Sequence, residues 1–207
     1  MNGLEERDQR TGRWVLYKTQ EQHGSDCERY PFERIPCRVF LDTNVVNALV
    51  KHADQIFEQQ PIREESDQTK AHDLEALMHV FFVGSRANWD LVASSKTLEE
   101  LSHTSSYELR DTLLDYAIGI VESEGEAAAH ARDLGRRVLG SGLFDALPDR
   151  DDRELVAHAI GLGCDAFCTS DRKTIIRRRH RLPKLPIRIV TPIEWWRHIK
   201  PWAALWS

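Results

Sequence analysis

The sequence has no apolar run approaching the ~20 residues that a membrane-spanning helix needs. That excludes a helical membrane protein. Its opening residues, Met1 to Arg13, are polar and mixed in charge, with no apolar leader, so the expected place of action is the cytoplasm. Cysteine is scarce. Cys27, Cys37, Cys164 and Cys168 are too scattered for a disulfide framework, and reduced thiols are the default. His23, Cys27 and Cys37 can be drawn as a metal site, but no second Cys/His pair has the usual spacing, which argues against zinc. Internal repeats and low-complexity tracts are also missing.

Excess charge is small overall, at −5, but it is unevenly placed. Residues 171–207 hold ten Lys/Arg against two acids, while residues 1–170 hold 18 against 31. An acidic body with a basic C-terminal segment is a polarised molecule, and its basic end is a candidate phosphate-binding surface.

What is present is a soluble-type composition, 41% hydrophobic and 29% charged, in a chain of 207 residues. That length has room for one domain with a sizeable core. Residues 1–36 carry no clear period and read as an N-terminal extension to a domain spanning 37–207; Trp14-Val15-Leu16-Tyr17 is a candidate strand within them. Short apolar runs predict strands at Cys37–Leu41, Asp90–Ala93, Ala166–Thr169 and Ile187–Val190. Periodic runs predict helices at Thr43–His52, Ala71–Val83, Lys96–His103, twice within Tyr107–Gly140 (divided near Gly125), and at Asp151–Leu162, Arg172–Arg179 and Pro192–His198. Asp54 to Lys70 reads as a polar surface loop, with or without a helical start. Strands alternating with helices make this an α/β chain, with a mainly parallel central sheet flanked by helices on both faces. Right-handed crossovers then place the strand C-termini on one edge.

Acids gather at that edge. Val39-Phe40-Leu41-Asp42-Thr43-Asn44 is a strand running into a helix, with Asp42 at the junction. Ligands of open α/β sheets bind outside the carboxyl ends of the strands, although Asp42 could equally be a helix cap. Glu100 follows the second strand, Asp152 opens a helix, and Asp171 follows Cys168-Thr169-Ser170. In this set the chain resembles the PIN-domain nuclease family, in Leu41-Asp42-Thr43-Asn44, Thr97-x-x-Glu100-Leu101, Asp152-x-x-Leu155-x-x-x-Ala159 and Thr169-Ser170-Asp171. The resemblance covers roughly Cys37 to Trp196 and implies a three-layer α/β/α fold.

Four carboxylates in one cleft raise one another's pKa, and a divalent cation relieves them. Oxygen-only ligands suit Mg²⁺ or Mn²⁺, and such ions serve in-line attack on a phosphodiester. Asp42, Glu100, Asp152 and Asp171 are thus expected both as metal ligands and as catalytic residues. Asp149-x-x-Asp152 could instead be a capping arrangement, with Asp151 the alternate if the register is off by one. Glu99 reads as a solvated neighbour of Glu100, and Asp171 could be only the N-cap of the next helix. Asn44, Thr169 and Ser170 are expected to orient the carboxylates, although Thr43 and Asn44 could equally be helix-start residues only.

Arg172, Lys173, Arg177, Arg178, Arg179 and Arg181 follow directly and are candidate RNA contacts, or else a solvated basic face or a patch for a second copy. Four tryptophans close the chain (Trp195, Trp196, Trp202 and Trp206); Trp195 is expected to pack inward. The resemblance implies a metal-dependent endoribonuclease acting on RNA, single-stranded by preference. It also implies a possible toxin role with a small antitoxin, and possible homodimers. The N-terminal extension and the polar insertion between the first two acids depart from the compact toxin pattern. A non-catalytic RNA- or protein-binding module on the same fold is the alternative. Phosphotransfer on an aspartate ranks last, because Asp42-Thr43-Asn44 lacks a second acid two residues on.

Overall fold

The computed structural model describes residues 5–8, 13–16, 19–62, 67–87, 89–119 and 126–205. In chain order its first elements are strands β1 (Glu5–Asp8) and β2 (Arg13–Leu16), helix α1 (Gln20–Arg29), strand β3 (Arg38–Leu41) and helices α2 (Thr43–Lys51), α3 (Ala53–Phe57) and α4 (Gln68–Ala87). Strand β4 (Asp90–Val92) is followed by α5 (Ser95–Ser102), α6 (Tyr107–Ile118), α7 (Glu126–Leu139) and α8 (Arg150–Gly161). Strands β5 (Ala166–Cys168) and β6 (Arg188–Val190) precede α9 (Pro192–Ile199). Chain packing divides these into two units.

One unit comprises Met1–Pro36, His52–Trp89 and Pro192–Ser207. Its β1 and β2 pair antiparallel, so Trp14 to Leu16 is a strand, while Tyr17 lies outside the described residues. Thr19 caps α1 by accepting the Gln22 N–H at 3.1 Å. Helix α4 packs on α9, where His79 stacks on Trp196 at 4.9 Å and Trp195 is fully buried. Trp202 donates its indole N–H to the Tyr30 carbonyl at 2.7 Å and meets Phe32 edge-on. The C-terminal tryptophans at 195, 196 and 202 therefore fill this unit through their apolar rings, and of the three only Trp202 has its N–H on a carbonyl of the described residues; Trp206 lies outside the described residues. His23 touches the Cys27 thiol at 3.3 Å and the Pro201 carbonyl at 2.9 Å. The polar stretch opens on α3, the helical start its sequence left open, and its residues 63–66 lie outside the described set.

The other unit comprises Cys37–Lys51 and Asp90–Thr191 and holds the sheet. Four strands lie in the order β4-β3-β5-β6, all parallel, with helices flanking them. Successive strand residues point to opposite faces. Phe40 and Phe167 stack at 5.4 Å within a core cluster that also holds Val92, Ile189 and residues of α7 and α8, such as Ala131, Leu155 and Ala159. Val39 and Leu41 point to the other face and are also fully buried, so both faces of β3 are covered. That double burial explains why the strands read as continuous apolar runs rather than alternating ones.

Helices α7 and α8 approach almost backbone to backbone. A Cβ at Gly161 would come within 2.5 Å of the Ala131 Cα, and one at Gly135 within 2.9 Å of the His158 ring. Small residues at these positions let the two helices close over the sheet.

Strand order also locates the site. The chain leaves β3 for its neighbour on one side, β4, then crosses back to β5 on the other side of β3. Adjacent strands whose connections run in opposite directions open a crevice at their carboxyl ends. Here that crevice lies between β3 and β5, above Leu41 and its register partner Cys168.

Candidate active site

Asp42 and the Thr169–Asp171 segment follow β3 and β5 directly, so the fold delivers both to the crevice. Asp42 is only 4% exposed. Its Oδ1 accepts the Thr43 N–H at 2.7 Å, and its Oδ2 accepts from the Asn44 amide and the Thr169 hydroxyl. An N-cap side chain accepts from the second or third N–H of its helix, whereas here the Val45 and Val46 N–H groups go to the Asp42 carbonyl. The carboxylate is thus turned from the helix toward β5.

Asn44 and Thr169 form the frame that aims it. The Asn44 Oδ1 accepts the Ser170 N–H at 2.9 Å, and its amide reaches Thr169 Oγ1 at 3.2 Å as well as Asp42. Thr169, fully buried, accepts the Asp171 N–H at 2.9 Å. Two loops from neighbouring strands are tied by one amide and one hydroxyl, and Ser170 joins through its backbone.

Glu100 lies on α5. It is half-buried and accepts from the Thr43 hydroxyl. Glu99 is 58% exposed at its side chain and pairs with Lys96 at 3.3 Å. Asp152 is partly buried and accepts from the Thr174 hydroxyl at 2.9 Å. Capping at the start of α8 falls to Asp149, which accepts the Asp151 N–H at 2.9 Å. Asp151 is half-exposed and pairs with Lys96 at 3.1 Å. Asp171 does cap the turn after it, taking the Lys173 and Thr174 N–H groups at 2.8 Å each, and its other oxygen accepts from the Thr174 hydroxyl. One threonine thus spans two carboxylates.

The segment after Asp171 is not the single helix its sequence suggests. Arg172–Ile176 forms a π-helical turn, and Arg179–Arg181 a separate 3-10 turn. The Ile176 N–H reaches the Asp171 carbonyl five residues back. The wider turn lets Thr174 face Asp152 and Asp171 while Ile175 is fully buried.

Electrostatics follow from this crowding. Burial pushes the Asp42 carboxyl up to about 7, with Asp152 and Glu100 adding repulsion and the Thr169 hydroxyl opposing it. Burial likewise raises Asp152 to about 6, opposed by Thr174, with Asp149, Asp171 and Glu100 repelling. Glu100 is raised by burial, opposed by the Thr43 hydroxyl. Asp171 is lowered: burial raises it, but the hydroxyl and N–H donors of its turn together outweigh that. Asp42, Glu100 and Asp152 are therefore one interacting set, and Asp171 joins it through Asp152 and Thr174. They do not close into a ready-made ligand shell: among the described residues no three His, Cys, Asp or Glu side chains stand together at metal-ligand spacing.

Three residues with a part in the site carry no obvious sign in the sequence. Thr174 and Thr43 hold carboxylates through hydroxyls. Lys96, its side chain 12% exposed, brings a cation to Asp151 and Glu99 and lowers Glu100 electrostatically. Thr174 stands three residues after Asp171, the spacing of a reciprocal cap, which is the one local cue available. Of the basic residues, Arg179 donates to the Ile189 carbonyl at 2.7 Å and braces β6, while Lys173, Arg177, Arg178 and Arg181 line a surface cavity with His180. His158 is buried against α7, and His103 is exposed beyond α5.

No protein-family model matches the chain, and no curated protein matches it in sequence. Among solved structures it is similar to the crystal structure of VapBC2 from Rickettsia felis bound to a DNA fragment from their promoter. The two share 15% identity over 74% of this chain and 98% of that one, with a TM-score of 0.44. No helix of the described residues is long and apolar enough to cross a membrane.

Proposed function

We propose that this chain is a metal-dependent endoribonuclease of the PIN type, hydrolysing phosphodiester bonds of single-stranded RNA. The observation that supports it is Asp42: a carboxylate buried at a strand-end crevice, raised to about 7, and repelled by Asp152 and Glu100. A buried carboxylate set, with no cationic side chain paired to Asp42 among the described residues, suits a divalent cation. All the donors are oxygens, which fits Mg²⁺ or Mn²⁺. The open spacing of the set also fits, since Mg²⁺ keeps several waters and takes only one or two carboxylates directly.

In this proposal Asp42 and Asp152 hold the cation, with Glu100 and Asp171 completing the site. When bound, the cation supplies Lewis acidity for phosphodiester hydrolysis. Asn44, Thr169 and Ser170 fix the Asp42 oxygens; Thr43 does the same for Glu100, and Thr174 for Asp152 and Asp171. Lys96 holds Asp151 and Glu99 on the outer side, keeping them from turning into the crevice. The preference for RNA, the toxin role with its antitoxin and homodimers rest on the family resemblance in the motifs, and a cytoplasmic setting rests on the polar opening residues.

The test is a cleavage assay on mixed single-stranded RNA with Mn²⁺, Mg²⁺ or EDTA. Products with either metal and none in EDTA are expected. The rival is a non-catalytic RNA- or protein-binding module, and the observation in its favour is that no three carboxylates stand at ligand spacing. Metal-independent binding with no products on RNA or DNA would select it.

Thr174→Val keeps the side-chain shape and removes the shared hydroxyl. We expect metal affinity, read as the Mn²⁺ concentration for half-maximal cleavage, to weaken about 10–100-fold. An unchanged midpoint would mean that Thr174 only shapes the turn.

A further inference from the structure

The π-helical turn after Asp171 and the 3-10 turn that follows fold around a cavity of about 260 Å³, lined by Lys173, Arg177, Arg178, His180 and Arg181. Four of these carry fixed positive charge, and among the described residues no carboxylate lines the cavity. Several other cations of the unit are placed differently. Lys96, Arg136 and Arg153 each sit on a carboxylate, and Arg179, within the same segment, is turned to the Ile189 carbonyl. Cations gathered without acids repel one another, and an anion entering the cavity relieves that repulsion.

The geometry points to a phosphate-docking subsite that takes the backbone of a single-stranded polynucleotide outside the acidic crevice. Guanidinium forks suit phosphate oxygens, and several in one cavity suit a chain of phosphates better than a single carboxylate. One short segment ties the cavity to the acids: the backbone N–H of Lys173, a cavity residue, donates to Asp171 Oδ1 at 2.8 Å. A strand held there lies beside the Asp171 turn, and the cavity adds affinity and reach without reading bases. Arg172 and Arg179 do not line this cavity, which narrows the broad basic run to a defined pocket.

This deepens the nuclease proposal by assigning where the substrate chain is held, and it is tested apart from catalysis. Fluorescence anisotropy with a labelled single-stranded RNA of about 12 nucleotides, a length within the range such grooves occupy, is measured in EDTA across salt concentrations. The double variant Arg177→Ala/Arg181→Ala is expected to bind about tenfold or more weakly, with the log–log salt slope shallower by about 1.4, two phosphate contacts fewer. Arg137→Ala, an exposed cation on α7, is expected to bind as the unaltered chain does. Equal binding by the double variant, or weaker binding with an unchanged salt slope, overturns the subsite. So does competition by poly-glutamate matching that of the oligonucleotide, which would mark the cavity as a seat for an acidic protein. Failure of the nuclease proposal leaves a different trace: RNA bound through the cavity, with no products when metal is added.

Discussion

Asp42→Asn is expected to remove metal-dependent cleavage, lowering the rate by about 10²–10³-fold or more, the range for losing several kcal/mol of charge stabilisation in the transition state. The substitution conserves volume in a buried position. Its carbonyl can still accept the Thr43 N–H. Its amide would face the Asn44 amide and the Thr169 hydroxyl, and that mismatch costs roughly 1–3 kcal/mol. Against it stands the loss of a carboxylate that burial and its neighbours already push to about 7. The opposed effects leave the metal-free fold near its original stability. A melting curve in EDTA is therefore expected to move by only a few degrees, while the rise in Tm on adding Mn²⁺ disappears. Cleavage by the variant at an undiminished rate would remove Asp42 from the chemistry and the metal proposal with it.

Phe167→Ala is expected to destabilise the sheet unit by about 3–5 kcal/mol, the range for a buried aromatic cut to a methyl. The ring is fully buried on β5 and stacks on Phe40 of β3, within the cluster that joins the sheet to α7 and α8. Two residues on, Thr169 holds Asp42, so the cavity opens directly beneath the candidate site. Denaturant unfolding measures the loss. A deficit below about 1 kcal/mol, the scale of a well-tolerated hydrophobic swap, would mean that the stack carries little and that the helices repack over the gap. Phe167→Leu should recover much of the deficit, because it restores most of the volume.

Local patterns made most of the sheet unit legible. The four strands fall within a residue or two of the apolar runs that announced them: β3 and β5 are buried over nearly their whole length, and the edge strands β4 and β6 are buried toward their carboxyl ends. Parallel order was legible too, since each strand is followed by helix. Asp42 and Glu100 were readable as the inward acids of their motifs because the neighbouring residues, Leu41 and Leu101, are core. What escaped had a common cause. The roles of Thr43, Thr174 and Lys96 depend on partners that only the folded chain brings near; the Thr43–Glu100 contact spans 57 residues. The basic run read as one helix because its composition permits one, whereas the cap at Asp171 and the buried Ile175 widen it into a π turn. Packing of His52–Trp89 with Pro192–Ser207 likewise follows from long-range contact and leaves no mark in either segment alone.

The pairing of β3 with β5 has a consequence for a chain still being made on the ribosome. Asp42 takes its Oδ2 hydrogen bond from Thr169, 127 residues later, and the Thr169 backbone N–H is itself held by the Val190 carbonyl. Synthesis proceeds from the N-terminus, and units form as they emerge. A nascent chain that has extended past Asp152 therefore already carries three of the four acids but has no β5 to set beside β3. Thr43 and Glu100 can already meet through the pairing of β3 with β4, but Asp42 still lacks Thr169 and the crevice has only one wall. The crevice is complete only once translation has passed residue 190, so the proposed activity is expected to be absent from the nascent chain for most of its synthesis.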